Sequence, residues 1–379
     1  MLKHLLLTRI FLALLAGVLL FGVSQATERD NVERVVAVGD LHGDFDQFLA
    51  VLVDAELIDS DRRWSGGKAH LVQIGDAPDR GPDTDKIIAL LKDLERQATQ
   101  AGGEVHALIG NHEAMNMAGD LRYVHPGEYA AFVDQHSGKR QSDLYRRSVA
   151  FLKNRQPKEQ WPAFNEAHRE AFNQQYPLGY VEHRIAWSPS GEIGQWVLGH
   201  DAVVRINDSL FVHGGIAPDQ PLLTVEQINQ KVHEALKTAS TLDRNAIINL
   251  PDGPLWHRGL AVMDQTPENE AMLDKMLAFY GVKRIVIAHT PVVRTVLPRF
   301  GGKVILADVG LSRHYGGARA SLVIDETGPH VLLAGDRVDL PSRDEGVDAM
   351  VAYLRTAASL MPDPTSTLNY IDRLLRAEN

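Results

Sequence analysis

Five short apolar runs along this chain are each followed, within two residues, by an Asp, Asn or His. Runs that are apolar on both faces are typical of buried parallel strands. Because side chains that follow such strands meet at one edge of a sheet, we expect these polar residues to converge there. The five runs are Val35–Val38, Leu71–Ile74, Val105–Ile109, Leu210–Val212 and Arg284–Ala288.

Segments with helical periodicity separate the first of these runs. In the first segment, apolar residues recur at Phe48, Leu52 and other positions spaced three or four apart. Gly66–Gly67 and Gly102–Gly103 mark connecting turns. The opening third therefore has a strand-helix alternation that predicts a largely parallel sheet. The predicted helices are Phe45–Leu57, one near Thr84–Gln100, and Glu113–Met117.

A second group of short runs begins after Trp196 and alternates apolar with polar residues. This alternation favours strands, and we assign them to a second sheet with helices outside it. The helices are expected near Thr224–Lys237 and Glu268–Phe279. The predicted strands are Ala202–Ile206, Leu210–Val212, Val304–Leu306, Ser321–Ile324 and Val331–Leu333.

The segment at about 115–195 separates the third run from the fourth and is polar, with scattered aromatic residues. We interpret it as a helical insertion in a catalytic domain that spans 33–340. It is either a cap that selects substrate or an elaboration of the surface, and the sequence leaves both open. The last segment, 341–379, contains two amphipathic helices, Ser342–Leu360 and Ser366–Ala377, with no chemistry that we can identify.

The composition describes an ordinary globular protein, with 44% hydrophobic and 23% charged residues among 379. The formal net charge of −10 argues against nucleic acid as a partner, because a phosphate backbone attracts positive charge. The chain has no cysteine, which excludes disulfides and thiolate catalysis. Its stability must therefore come from the core and from any bound metal. The oligomeric state stays open.

The first 26 residues resemble a secretory leader. Lys3 and Arg9 form a basic start, Ile10–Val23 is apolar, and small residues stand at Ser24 and Ala26. This order predicts a signal peptide, residues 1–26, cleaved after Ala26, and hence export to the periplasm. The alternative is an uncleaved anchor, in which case alone the protein would contact a membrane. Loss of the leader takes the formal net charge to about −12.

The polar residues after the five runs fit the hydrolysis of a phosphoester. That reaction needs a hydroxide nucleophile and neutralised phosphate oxygens, and two divalent metal ions supply both. Asp40 and His42 share one loop and can reach one ion, while Asp76 follows the neighbouring strand and can bridge two. The predicted ligands are Asp40, His42 and Asp76 for one ion and Asp76, Asn111, His213 and His289 for the other.

Catalysis also needs a proton donor and groups that bind phosphate. His112 follows Asn111 directly, and Asp79 can hold its imidazole protonated, so this pair is the predicted general acid. Arg80 and Arg258 are expected to bind phosphate oxygens. Weaker candidates, for which structural or rim positions are expected, are His200, His257, His314 and Tyr315.

Each motif alone has a simpler explanation. A Gly-Asp after a strand is usually a turn, a lone histidine is usually packed or solvated, and an Asp-Arg pair is usually a surface ion pair. Five blocks in order, each behind its own apolar run, argue against coincidence. The blocks are GDLHGD, GDAPDRG, GNHE, His213 and His289.

In these blocks the chain resembles the calcineurin-like metallophosphoesterases, and within them the phosphoprotein phosphatase family, from about Val35 to Asp325. The segments GDAPDRG, GNHEAMNM, GPLWHRG and DVGLSRHYGG resemble its Shewanella-like bacterial branch. The resemblance implies an α/β fold, a central β-sandwich of mixed sheets flanked by helices. It also implies two divalent ions, manganese foremost, with iron and zinc as alternatives, and the ligand and catalytic roles given above.

Two departures from the family pattern bear on function. Ala77-Pro78 replaces the more usual Tyr-Val before Asp79, and the SAPNYCG loop of the eukaryotic enzymes is absent. The inhibitor sensitivity of the eukaryotic enzymes is therefore not assumed for this chain. The leading hypothesis is an exported protein phosphatase for phosphotyrosine or phosphoserine/threonine. The alternatives are a hydrolase of dinucleoside polyphosphates or other small molecules, and a non-catalytic metal-dependent binding protein of the cell envelope.

Overall fold

The computed structural model describes residues 27–218, 221–238 and 243–377. The predicted signal peptide lies outside the described residues, so its cleavage stays a prediction. Among the helices within the described ranges, none combines the length and hydrophobicity that crossing a bilayer requires.

The strands of the described residues form two sheets. In chain order they are β1 (Glu28–Arg29), β2 (Val35–Val38), β3 (His70–Gln73), β4 (Glu104–Ala107), β5 (Val203–Ile206), β6 (Ser209–Val212), β7 (Arg284–Ile287), β8 (Leu297–Arg299), β9 (Val304–Leu306), β10 (Ala320–Asp325), β11 (Gly328–Leu333) and β12 (Asp336–Asp339). The first sheet has the order β12-β11-β10-β2-β3-β4, and the second has the order β1-β5-β6-β7-β9-β8.

Parallel strands form one half of the first sheet, up to its edge at β4, and the centre of the second sheet. β2, β3 and β4 run parallel, as do β6, β7 and β9. Antiparallel strands complete each sheet, so both are mixed. The predicted strands behind the five polar blocks are thereby confirmed, and so is the mixed-sheet α/β fold.

The sheet assignment of the last two predicted strands was wrong. Ser321–Ile324 lies in β10, which pairs antiparallel with β2 through Leu322 and Ala37, and Val331–Leu333 lies in β11 beside it. Both therefore extend the first sheet. The physical reason is that β3 pairs with only one side of β2, and β10 pairs with the other side.

Helices surround the sheets and make up the insertion. In chain order the helices of the described residues are α1 (Phe45–Asp54), α2 (Thr84–Ala101), α3 (Asn111–Ala118), α4 (Pro126–Ala131), α5 (Ser137–Arg155), α6 (Glu166–Gln175), α7 (Tyr180–Ala186), α8 (Glu192–Leu198), α9 (Val225–Thr238), α10 (Gly259–Val262), α11 (Pro267–Tyr280), α12 (Gly346–Ser359) and α13 (Thr365–Ala377). The predicted insertion is thus helical, from the end of α3 to α8, and α5 is its longest helix. Its rings pack together, with Phe172 and Tyr176 at 4.6 Å.

The C-terminal helices dock onto the loop that follows β7. The hydroxyl of Tyr353 in α12 donates to the backbone oxygen of Val296 at 2.6 Å. The hydroxyl of Thr367 in α13 accepts a hydrogen bond from the backbone N–H of Arg294 at 3.0 Å. These helices therefore belong to the fold, although they carry no residue of the site described below.

The ends of the two sheets come unusually close together at two glycines. A Cβ atom on Gly39 would lie 2.5 Å from the backbone oxygen of Ala307, beyond the end of β9. A Cβ atom on Gly75 would lie 2.7 Å from Cα of Gly110 and 2.9 Å from Nδ1 of His213. Both contacts are too short for any side chain. The glycines of the Gly-Asp motifs therefore allow the strand ends to meet.

Candidate active site

A cleft of about 90 Å³ opens where β2, β3, β4, β6 and β7 end. Eight of the ten predicted site residues line this cleft. The other two, His213 and Asp79, are fully buried behind it. The structure therefore brings the predicted set together. The residues that line the cleft are Asp40, His42, Asp76, Arg80, Asn111, His112, Tyr123, Trp256, Arg258, His289, Pro291, Asp308 and Tyr315.

The carboxylate of Asp76 lies at the centre of the cluster. Its Oδ2 is 3.2 Å from Nε2 of His213, 3.8 Å from Nε2 of His112 and 3.9 Å from Nε2 of His42. Its Oδ1 accepts a hydrogen bond from the backbone N–H of His112 at 2.8 Å, which fixes the carboxylate plane. One carboxylate oxygen thus faces three imidazole nitrogens in a buried site.

Hydrogen bonds behind the rings orient two of these histidines. Nδ1 of His213 lies 2.7 Å from the backbone oxygen of Ile74, and Nδ1 of His42 lies 3.2 Å from that of Pro78. A carbonyl only accepts, so both Nδ1 atoms donate, and Nε2 is left as the atom that faces the cleft. This arrangement is characteristic of metal-binding histidines, whose other nitrogen is held by a backbone carbonyl.

The carboxylates of the cluster shift the pKa values of their neighbours. Burial lowers the pKa of His213, but the carboxylates of Asp76 and Asp40 outweigh it and raise the pKa to about 10. Burial and the neighbouring Asp40 raise the pKa of Asp308 well above its ordinary value. Nε2 of His289 is buried without a hydrogen-bond partner. A buried set of imidazole nitrogens and carboxylate oxygens of this kind is suited to bind divalent first-row metal ions.

Two groups of donor atoms share Asp76. His42, Asp76 and His112 form one group, and Asp76, His213 and His289 form the other, with the ligand atoms of each group within 4.8 Å of one another. Asp40 stands beside the first group, since its Oδ2 is 3.5 Å from Nε2 of His42. Asn111 joins the second group, because its Oδ1 is 3.0 Å from Nε2 of His213. Both predicted ligand sets therefore have their atoms within reach of a shared Asp76.

Backbone strain is concentrated in these residues. His42, Asp76, Asp79, Arg80 and His289 have φ values of 45°, 58°, 73°, 69° and 67°. Such left-handed conformations are uncommon for residues other than glycine and cost about 1–3 kcal/mol each when strained. They persist where the surrounding structure enforces them, which is typical of functional sites.

Glu113 holds two of the strained loops together, a role that the sequence analysis did not assign. Its carboxylate accepts hydrogen bonds from the backbone N–H groups of Asp76 (3.0 Å), Ala77 (2.8 Å) and Gly110 (2.9 Å). The residue is fully buried and connects the loop after β3 with the start of α3. Its place in the GNHE block was the available signal.

His112 and Asp79 form the pair that the sequence predicted. Nδ1 of His112 is 2.5 Å from Oδ2 of Asp79, so Nε2 points into the cleft. Burial lowers the pKa of His112, but the carboxylates of Asp76 and Asp79 outweigh it and raise the pKa. Asn116 was not predicted. It lies one turn after His112 on α3 and donates to the other oxygen of Asp79 at 2.9 Å.

Arg80 is held by the insertion. Its backbone N–H donates to the backbone oxygen of Tyr123 at 3.0 Å, and its guanidinium carbon lies 3.8 Å from the centre of the Tyr123 ring. Its Nε is buried without a hydrogen-bond partner. The Tyr123 ring also lies 5.2 Å from the His112 ring. Tyr123 is thus a site residue that the sequence analysis missed, and no motif marks it.

Arg258 and two further aromatic rings complete the cleft. Arg258 donates to the backbone oxygen of His289 at 2.8 Å and to the hydroxyl of Thr290 at 3.0 Å. The Trp256 ring stands 5.7 Å from the His289 ring, and the Tyr315 ring 5.2 Å from the His42 ring. The rim position expected for Tyr315 is therefore observed. The other weaker candidates, His200, His257 and His314, do not line the cleft.

Two contacts link the rest of the insertion to the His112–Asp79 pair. Arg184 in α7 donates to the backbone oxygen of Asn116, at the end of α3. Glu128 in α4 is buried near Asp79. Burial, followed by the negative charge of Asp79, raises the pKa of Glu128 to about 8. Glu128 is therefore neutral in the folded protein at pH 7.

Glu128→Gln is expected to stabilise the protein at alkaline pH. The ordinary pKa of a glutamate is 4.5, whereas that of Glu128 in the folded protein is about 8. The unfolded chain thus releases this proton first, and the free energy of unfolding falls as the pH rises through that window. We expect a Tm increase of a few degrees at pH 8 and little change at pH 5, measured by calorimetry. Equal shifts at both pH values, or the same shift in the exposed control Glu170→Gln, would contradict the assignment.

Known proteins are similar to this chain in sequence. A sequence model described as calcineurin-like phosphoesterase matches residues 33–293. An uncharacterised protein of Schizosaccharomyces pombe is 32% identical over 310 residues, which are 77% of each chain. Shewanella-like protein phosphatase 2 of Arabidopsis thaliana is 30% identical over 302 residues, 76% of this chain and 73% of that one.

A solved structure is similar over most of its length. The cold-active protein-tyrosine phosphatase of a psychrophilic Shewanella species aligns with a TM-score of 0.60 and 28% identity, covering 83% of this chain and 82% of that one. The family match covers more than half of the chain and includes all the predicted metal ligands. The chain therefore belongs to the calcineurin-like phosphoesterase family, which makes it a phosphoric ester hydrolase and confirms the resemblance seen in its motifs.

Proposed function

We propose that this protein is an exported two-metal phosphomonoesterase that acts on phosphorylated proteins. The observation that carries the proposal is the donor cluster around Asp76, whose Oδ2 lies 3.2 Å from Nε2 of His213 and 3.9 Å from Nε2 of His42. Asp40, His42 and Asp76 would hold one ion. The other would be held by Asp76, Asn111, His213 and His289.

The metal ions would supply positive charge for the phosphate and an activated water nucleophile. Manganese is the expected metal, with iron and zinc as alternatives, since mixed nitrogen and oxygen ligands accept all three. The orientation of His42 and His213 by backbone carbonyls leaves Nε2 as the ligand atom in each ring. Neither histidine would therefore have to change its tautomer in order to bind an ion.

The remaining residues bind the phosphate and transfer a proton. Arg80 and Arg258 both line the cleft and can each donate to phosphate oxygens. Asp79 accepts from Nδ1 of His112 and stabilises the imidazolium, in which Nε2 carries the second proton and faces the cleft. His112 can therefore protonate the leaving oxygen of the substrate as the ester bond breaks.

Two observations support a protein substrate. The cleft is bordered by the aromatic rings of Tyr123, Trp256 and Tyr315, which suit a phosphotyrosine ring as well as a peptide that carries phosphoserine or phosphothreonine. The Arabidopsis relative is named a protein phosphatase, and the Shewanella structure is titled a protein-tyrosine phosphatase. Both kinds of phosphopeptide belong to the proposal.

The test is a substrate panel with controlled metal content. The mature chain is stripped of metal, reconstituted with manganese, zinc or iron, and assayed on phosphotyrosine and phosphoserine peptides and on a dinucleoside polyphosphate. We expect metal-dependent phosphate release from phosphopeptides. A preference above about a hundredfold for the dinucleoside polyphosphate would replace the protein substrate with a small molecule, a difference of about 2.7 kcal/mol in transition-state binding. Metal binding without any turnover would favour the binding protein.

Export is part of the proposal and rests on the leader sequence. N-terminal sequencing of the protein recovered from a periplasmic fraction should begin at Thr27. Recovery of the chain with Met1 in the membrane fraction would instead indicate an uncleaved anchor.

Tyr123→Leu is expected to weaken phosphate binding, because it removes the ring on which Arg80 rests. A cation–π contact of this kind contributes about 0.5–2 kcal/mol, so kcat/KM should fall by roughly 2- to 30-fold, mainly through KM. Steady-state kinetics and competitive inhibition by inorganic phosphate measure this change. Tyr123→Phe keeps the ring and should behave like the wild type. If Tyr123→Phe lost as much of its kcat/KM as Tyr123→Leu, the hydroxyl of Tyr123 and not its ring would be responsible for the effect.

A further inference from the structure

A second group of potential ligands lies at the opposite end of the first sheet. His70 begins β3 and Glu104 begins β4, and the two residues are partners across the strand pair. His106 follows Glu104 by two positions, so its side chain lies on the same face. We call His70, Glu104 and His106 the distal cluster. His70 is the first residue of β3, whereas Asp76 lies beyond its last residue, Gln73, so the cluster and the catalytic cleft are at opposite ends of the strand.

The three ligand atoms of the distal cluster have the spacing of a metal site. Nδ1 of His70 is 3.0 Å from Nε2 of His106, which is 3.9 Å from Oε2 of Glu104. All three atoms lie within 4.8 Å of one another. Ligands at zinc bond lengths in tetrahedral geometry are roughly 3.4 Å apart, so small side-chain shifts would admit an ion.

The two histidines are in the protonation state that a metal requires. Burial lowers the pKa of His70, and burial together with the positive charge of its neighbours lowers the pKa of His106 well below the ordinary value. Both rings are therefore neutral at pH 7 and share one hydrogen between Nδ1 and Nε2. A metal ion would take the place of that hydrogen, and the ring that donated it would carry its proton on its other nitrogen, so both ligands would stay neutral.

Arg29 of β1 holds the third ligand in place. It donates to both oxygens of Glu104 at 2.6 Å and joins the second sheet to the first. A carboxylate has about four lone-pair sites, so two remain for a cation. A hydrogen-bonding group behind a ligand orients it and is common at metal sites. Arg29 thus orients Glu104 and leaves lone pairs of the Glu104 carboxylate for a cation.

We propose that His70, Glu104 and His106 bind a single zinc-class divalent ion, separate from the catalytic centre, with water at the fourth position. Two imidazoles and one carboxylate form a ligand set that zinc commonly accepts. Because Arg29 joins Glu104 to β1, the ion would fasten the edges of the two sheets together. This proposal does not depend on the proposed phosphatase function.

The test compares zinc content after dialysis in matched variants. The wild type should retain about three equivalents per chain, two at the catalytic centre and one at the distal cluster, whereas His106→Gln should retain about two. The control His200→Gln alters a neighbouring histidine outside the cluster and should retain as many as the wild type. His106→Gln should keep its kcat, and its Tm should no longer rise by a few degrees on zinc addition.

A second measurement isolates the distal cluster. Asp76→Asn weakens ion binding at the catalytic centre but should retain one zinc equivalent at the distal cluster. The double variant Asp76→Asn/Glu104→Gln should lose that equivalent. Circular dichroism verifies that each variant folds, and Glu104→Gln replaces His106→Gln if the latter does not. Equal zinc content in the wild type and a folded cluster variant, or no zinc in folded Asp76→Asn, would overturn the proposal without affecting the catalytic assignment.

Discussion

His112→Asn is expected to lower kcat on phosphopeptides by about 10²- to 10⁴-fold, the usual contribution of a general acid. The leaving oxygen of a serine or tyrosine needs a proton as it departs, and Nε2 of His112 faces the cleft with Asp79 behind it. With p-nitrophenyl phosphate the loss should be much smaller, because its leaving group departs without a proton. Steady-state kinetics on both substrates measure the difference.

Metal content provides the control for this variant. Nε2 of His112 is also 3.8 Å from Oδ2 of Asp76, so the histidine could act through the metal cluster instead. If proton donation is its role, His112→Asn should retain its metal ions, and Asp79→Asn should show the same dependence on the leaving group. Equal losses on both substrates, together with lost metal, would refute the role of general acid.

Asp76→Asn is expected to remove both catalytic ions on dialysis and to lower kcat by at least about 10³-fold. The metal ions supply several kcal/mol of charge stabilisation, and each 1.36 kcal/mol is worth a factor of ten. Asparagine has the same shape, and its oxygen can still accept the hydrogen bond from the backbone of His112, so the fold should persist. Elemental analysis and kinetics on the same preparation measure both effects.

A buried aspartate outside the cleft serves as the control. Asp44 caps α1, where it accepts from the backbone N–H of Gln47, and its other oxygen accepts from that of Arg313. Asp44→Asn should retain metal and activity at near wild-type levels. The central position of Asp76 would be wrong if Asp76→Asn kept both ions and most of its activity.

The sequence was sufficient for the location of the site because each ligand follows its own buried strand. His213 and Asn111 are separated by about a hundred residues, yet their side chains meet at 3.0 Å because β4 and β6 end at the same edge. Pairing between strands was less predictable. The residues of β10 fit a strand of either sheet, and only its pairing with β2, through Leu322 and Ala37, shows which sheet it joins.

The groups that support the site could not be found from the pattern. Glu113 and Asn116 act through contacts with Asp76 and Asp79, and nothing in their spacing specifies such partners. Tyr123 follows no strand and belongs to no motif, and its place under Arg80 depends on how the insertion packs. The sequence did not decide whether the insertion is a cap or a surface elaboration. Its observed contacts with Arg80 and Asn116 give it a supporting role near the cleft.

The left-handed backbone at His42, Asp76, Asp79, Arg80 and His289 implies a conflict between durability and catalysis. Glycine adopts this conformation without strain, so replacement of any of the five by glycine would relax the backbone while it deletes a working side chain. Laboratory selection for heat tolerance alone should therefore favour glycine at these five positions and yield proteins that are more stable but inactive. A thermostable phosphatase from this chain would have to gain its stability elsewhere.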